Sequence, residues 1–177
     1  MKTRHLVINA MLAAMCAVLG VLSLDFGNMK ITFESLPTIL GAALFGPLDG
    51  MAIGMVGSLI YQLLKYGFSV TTLLWILPYA ASGFIVGSYA KKRGFDMSAK
   101  QLIFIAVLSE LIITTLNTGV MYIDSKVYGY YSFIYIFGTI IPRYVLCVGK
   151  AVVYGVSLPL LMRAARAALG HSAPDSD

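Results

Sequence analysis

Charge is scarce in this chain: Asp, Glu, Lys and Arg make up 12% of its 177 residues, where a soluble domain carries about a quarter. So thin a supply cannot clothe a water-facing surface, and the 59% hydrophobic content points into a bilayer. The only histidines, His5 and His171, are terminal. No paired intramembrane aspartates suit metal-dependent lipid transfer, no Gly-x-Ser is matched by a membrane histidine, and no Walker-type loop would hold a nucleotide phosphate. Neither catalytic residues nor a metal site are expected. A basic run with interleaved aromatics is also missing, which excludes nucleic acid as a partner. Cys16 and Cys147 both lie inside apolar segments without metal-knuckle spacing, and read as packing residues.

What the chain does have is long apolar runs, punctuated by charges and Gly, Pro, Asn and Asp. They divide it into six spans: His5 to Leu24, Ile31 to Gly46, Asp49 to Tyr66, Val70 to Ala90, Lys100 to Tyr122 and Ser132 to Arg166. All are expected to be helices, because backbone polar groups in hydrocarbon must be satisfied within the span and no alternating barrel pattern is present. The second is short, roughly 24 Å at 1.5 Å per residue. The expected fold is an all-α integral membrane protein, a single six-helix transmembrane domain over residues 1–170 with a short polar tail at 171–177. Lys2 and Arg4 ahead of an apolar stretch mimic a signal peptide, but no small-x-small cleavage site follows, so the stretch reads as the first span. No sizeable soluble domain fits beside the spans, so any energy source belongs to other subunits.

Lys2, Arg4, Lys91, Lys92, Arg93, Lys100, Arg163 and Arg166 fall on one side of such a bundle, against Lys30, Lys65 and Lys126 on the other. The positive-inside rule makes both termini cytoplasmic in a multi-pass cell-membrane protein.

Three charges inside the spans stand out: Glu110, Arg143 and Lys150. Intramembrane charges are costly and are functional candidates by default, although many pair with one another. Counting helical rise puts Glu110 roughly 14 Å and Lys150 about 17 Å above the inner boundary, at a common depth for a structural ion pair. Arg143 lies roughly 10 Å further out with no obvious carboxylate partner. A guanidinium there is suited to an anionic ligand, since its planar fork matches a carboxylate and it keeps its proton; the alternative is that it caps carbonyls freed at Pro142 or snorkels outward. Lys30, Phe33, Glu34, Tyr61, Gln62, Tyr66, Thr71, Thr72, Trp75, Asn117 and Tyr122 crowd the same outer level, whereas Tyr128, Tyr130, Tyr131 and Tyr135 read as an interfacial belt. In the first span Ala10, Ala13, Ala14, Ala17 and Gly20 form a stripe of small residues where another backbone can approach.

Particular stretches resemble one family. NAMLAAMCAVL at 9–19 is similar to the first helix of the substrate-binding S component of energy-coupling factor (ECF) vitamin transporters. MKITFESLPTILGAALFGPLDGMAIGMVGSL at 29–59, LNTG at 116–119 and IPRYVLCVGK at 141–150 resemble the folate-type branch in order and spacing. The stretch KYGFSVTTLLWILPYAASG at 65–83 departs from that branch, sharing only Thr71, Thr72 and Leu73, in the segment that supplies part of the family's outer ligand site. The resemblance implies a vitamin captured at the outer face, with Arg143 on a ligand carboxylate, Lys30 assisting, and Asn117, Trp75, Phe33 and Tyr122 orienting or stacking on a ring. It implies that Ala10, Ala14 and Ala17 dock on a transmembrane coupling subunit. It implies no cofactor in the chain, ATP being used by two cytoplasmic ATPase partners. Folate or a related anionic vitamin is the expected ligand, with pantothenate or another small vitamin or precursor as the alternative. Two other classes stay open at this point: a membrane enzyme acting on a lipid or prenyl substrate with Glu110 and Lys150 as acid and base, and a scaffold with no small-molecule ligand.

Overall fold

The computed structural model describes residues 2–26 and 29–169. Along the chain these form α1 (Lys2–Val21), a hairpin of β1 (Leu24–Phe26) and β2 (Met29–Ile31), α2 (Ser35–Phe45), α3 (Pro47–Tyr66), α4 (Thr72–Lys92), α5 (Ala99–Val127), α6 (Phe133–Phe137) and α7 (Ile140–Leu169). Five segments are long and apolar enough to cross a membrane, with α6 and α7 forming one of them, and α2 is apolar but short. The fold is an all-α membrane bundle of about six helices. The tail at 171–177, with His171, lies outside the described residues.

The second segment differs most from expectation. Its helix starts at Ser35 rather than Ile31, because Ile31 pairs with Leu24 across the antiparallel hairpin. Eleven residues of helix reach about 16 Å, half of a hydrocarbon core of about 30 Å. Eight of the eleven are buried, which makes α2 a plug surrounded by α1, α3, α4, α5 and α7 rather than a wall. It ends at Gly46, whose φ of 107° turns the chain into α3 with Pro47 at the first helical position.

The last segment is broken. Pro142 lacks an N–H and its ring would meet the carbonyl of Gly138 in a continuous helix, and the chain accordingly turns at Gly138 and Thr139 between α6 and α7. α5 runs five residues past the expected end at Tyr122, to Val127.

Small residues bring the helices together. A Cβ on Gly83 would stand 2.2 Å from the Gly50 carbonyl oxygen, and one on Gly57 would stand 2.3 Å from Cys16 Cβ. Backbone therefore packs on backbone between α3 and α4, and α3 accepts the Cys16 face of α1. The two ends of the bundle carry different polar contacts. At one end Asn9 Nδ2 donates to Asp49 Oδ1 at 2.5 Å, Arg4 Nη2 donates to the Ala168 carbonyl, and Arg166 pairs with Asp96. Both ends of the described chain meet on this face. At the other end Lys65 Nζ donates to Ser23 Oγ at 2.6 Å, and Asp124 gathers hydrogen bonds from α4 and from the connection after α5.

Candidate functional site

Because α2 stops halfway, the column beyond its first residue is left for a cavity of about 520 Å³. Thr32 and Glu34, which lead into α2, border it from that side. The other walls follow from helical spacing. α5 contributes Asn117, Met121 and Asp124; α7 contributes Arg143, Leu146 and Lys150; Thr71, Trp75 and Tyr79 come from the α4 side at steps of four. The volume lies within the range of about 300–1,000 Å³ that encloses most small ligands.

Deep in this cavity Lys150 Nζ pairs with Glu110 Oε2. Glu110 is fully buried, and its other oxygen accepts from Ser35 Oγ at 2.6 Å. Ser35 also meets the Tyr154 hydroxyl at 2.7 Å. Glu110 and Glu34 thus stand at the start of α2, where the helix dipole favours negative charge. The Lys150 charge is already matched.

Arg143 is not matched. No carboxylate lies within 4.0 Å of it among the described residues, its Nε is buried without a hydrogen-bond partner, and Nη2 rests against Met121 Sδ at 2.6 Å. A thioether is a weak acceptor. The guanidinium therefore faces the cavity as a cation with donors to spare.

Of the residues expected around a ligand, the structure brings Arg143, Asn117 and Trp75 together in the cavity lining. Phe33 instead packs against the core, its ring 6.1 Å from that of Tyr154. Tyr122 lies outside the lining, edge-on to Tyr131 at 5.6 Å with Lys126 over the Tyr131 ring. Lys30 is in β2, and its side chain lies outside the described residues. Tyr128, Tyr130 and Tyr135, read as a belt, line the cavity, while Tyr131 does not. Asp124 lies two residues beyond Tyr122, where the apolar run of the fifth span ends, so the run itself does not mark it. Its spacing from Asn117 and Met121, seven and three residues, is the signal that places it on the same helical face. On α1, Ala10 and Ala14 are exposed whereas Ala17 is 4% exposed and packs inward.

No curated protein matches the chain. A family model does, over residues 4–168, described as ECF transporter, substrate-specific component. That stretch runs from the first turns of α1 to the end of α7 and includes every wall of the cavity; the chain belongs to the ECF transporter substrate-specific component family.

Proposed function

We propose that the cavity captures a small anionic vitamin from the outer face of the cell membrane, with folate or a related carboxylate as the first choice and pantothenate or another small precursor as the second. The family makes the chain the substrate-specific membrane subunit of an importer and not an enzyme. Glu110 and Lys150 are accordingly read as a structural pair that holds α2, α5 and α7 together rather than as acid and base. The observation that carries the capture reading is Arg143, a cation without a carboxylate partner among the described residues, in the wall of an aromatic-lined cavity. Its fork would take the ligand carboxylate, Asn117 would fix an adjacent polar group, and Trp75 would stack on a ring. Phe33 and Tyr122 would shape the surround from outside the lining, and Lys30 would assist from the hairpin. The stretch at 65–83 that departs from the folate-type pattern supplies Tyr66, Ser69, Thr71, Trp75 and Tyr79 to the lining, which favours testing several vitamins side by side.

Trp75 is the only tryptophan, so its fluorescence reports on the cavity directly. Purified protein is titrated with folate, pantothenate, thiamine, riboflavin and biotin, with equilibrium dialysis as the check. Saturable quenching by one carboxylate-bearing vitamin is the expected result. Absence of binding by all five to folded, ligand-free protein would overturn the choice of these vitamins.

The family associates with ECF partner subunits. For this chain the proposed set is one transmembrane coupling subunit and two cytoplasmic ATPases, with the whole subunit toppling to release ligand inward. The eight-to-three bias of cations favours cytoplasmic termini. The exposed Ala10 and Ala14 face of α1 is the proposed docking stripe, with Ala17 supporting it from the packed side. Ala14→Trp is expected to abolish uptake in whole cells while leaving vitamin binding by the purified chain unchanged. Normal uptake in a complex that still co-purifies with its coupling subunit would remove the docking role.

A further inference from the structure

At the mouth of the cavity three segments meet on one carboxylate. Thr71 Oγ1 donates to Asp124 Oδ1, and Trp75 Nε1 approaches the same oxygen at 3.4 Å. Tyr130 OH donates to Asp124 Oδ2. Thr71 and Trp75 stand at the start of α4, Asp124 near the end of α5, and Tyr130 in the connection to α6, and all four line the cavity. An ionised carboxylate is acceptor-only, so donors from the protein itself fill both of its oxygens. Burial, then the Asp124 carboxylate, pushes the Tyr130 phenol above its ordinary pKa, so the phenol stays protonated and remains a donor through neutral pH. Gly129, at φ 73°, makes the turn that brings Tyr130 back over Asp124. No atom lies within 4 Å of the place its Cβ would take, so it is the left-handed backbone, not crowding, that calls for glycine.

We propose that Asp124 is the positioning residue of the mouth. It fixes the indole plane of Trp75 on the wall and fastens Tyr130, with residues 128–132, across the opening. Ligand passes when the Tyr130–Asp124 bond opens. One turn deeper on α5, Met121 meets the Arg143 guanidinium, so the wall carries a cation inside and a carboxylate at the rim. A ligand with one carboxylate is thereby oriented with its charged end inward, a consequence that rests on the capture reading above.

The test needs no vitamin. Emission spectra and acrylamide quenching of Trp75 are measured on the purified, ligand-free full chain in detergent, for the wild type, Asp124→Ala, Asp124→Asn and Tyr130→Phe. Tyr130→Phe removes one oxygen and is expected to raise the acrylamide quenching constant about two- to fivefold while leaving the emission maximum in place, because the indole contact to Asp124 survives. Asp124→Ala is expected to change both. Asp124→Asn is expected to restore the emission maximum, since its amide oxygen can still accept from the indole, a rescue that general loosening would not give. Unchanged quenching in Tyr130→Phe overturns the latch, and unchanged emission in Asp124→Ala with full helical circular dichroism overturns the positioning role. Should Asp124→Ala fail to fold, Asp124→Leu, which also removes the acceptor but keeps the side-chain bulk, takes its place with the same two outcomes. Failure here leaves the capture reading standing, and failure of the vitamin titration leaves these outcomes unaffected.

Discussion

Arg143→Ala is expected to weaken vitamin binding from roughly 30-fold to more than a thousandfold, since truncating one partner of a desolvated charge pair costs about 2–5 kcal/mol. The side chain proposed to hold the ligand is a burden without it. Among the described residues its Nε is buried with no partner, and its Nη2 has only a thioether for company. Arg143→Met is therefore expected to raise the midpoint of thermal unfolding of the ligand-free protein while abolishing tight binding. Arg143→Lys keeps a charge but loses the fork, and should fall between wild type and alanine. Titration of Trp75 fluorescence measures the affinities, and thermal melts of ligand-free protein measure the stabilities. Equal affinity in wild type and Arg143→Ala would remove Arg143 from the site. Lower stability in Arg143→Met would mean that the guanidinium holds the bundle instead.

The Glu110–Lys150 pair carries the largest expected effect on stability. Glu110 is 0% exposed and the Lys150 side chain 13% exposed, so removing one partner leaves the other charge deep in the bundle without its counter-ion. Glu110→Leu is expected to cost about 3–5 kcal/mol, the range for breaking a buried ion pair. The double variant Glu110→Leu with Lys150→Met removes both charges and should recover most of that loss, because the desolvation cost of the pair disappears with its attraction. It leaves Ser35 and Tyr154 bonded to each other, so no hydroxyl is orphaned. Denaturant or detergent titration of helical circular dichroism for the wild type, the two single variants and the double variant closes the cycle. A double variant as unstable as Glu110→Leu would show that the carboxylate is held for its bond from Ser35 rather than for Lys150.

Both predictions start from charges that stand out in an apolar chain, and that explains how much could be read in advance. Hydrophobic runs locate helices well, and the five long ones lie where composition puts them. Paired or unpaired status at mid-depth follows from rise per residue once two neighbouring segments are known to run antiparallel. The second segment was harder. Its apolar run continues through Ile31 and Phe33, but Ile31 belongs to a hairpin and Phe33 to the core beside Tyr154, and neither placement has a local signature. Glu34 and Ser35 inside that run are what mark the late helical start. The tyrosines after α5 show the opposite problem. A membrane belt and a cavity wall use the same residue types, and nothing in the local sequence separates Tyr128, Tyr130 and Tyr135, which line the cavity, from Tyr131, which does not. Asp124 needed one more turn of α5 than the apolar run supplied.

The shortness of α2 also bears on how the chain is built into the bilayer. Eleven residues do not make a stable span by themselves, and Ser35, Thr38 and the adjoining Glu34 would enter hydrocarbon without their partners on α1, α5 and α7. The tight Gly46–Pro47 turn joins α2 directly to α3, which is long enough to span. Ser35 gains its bonds to Glu110 and Tyr154 only after α5 and α7 have arrived. A nascent chain that ends before α7 lacks both the seat for α2 and the wall that carries Arg143, so the cavity is complete only once α7 has joined the bundle.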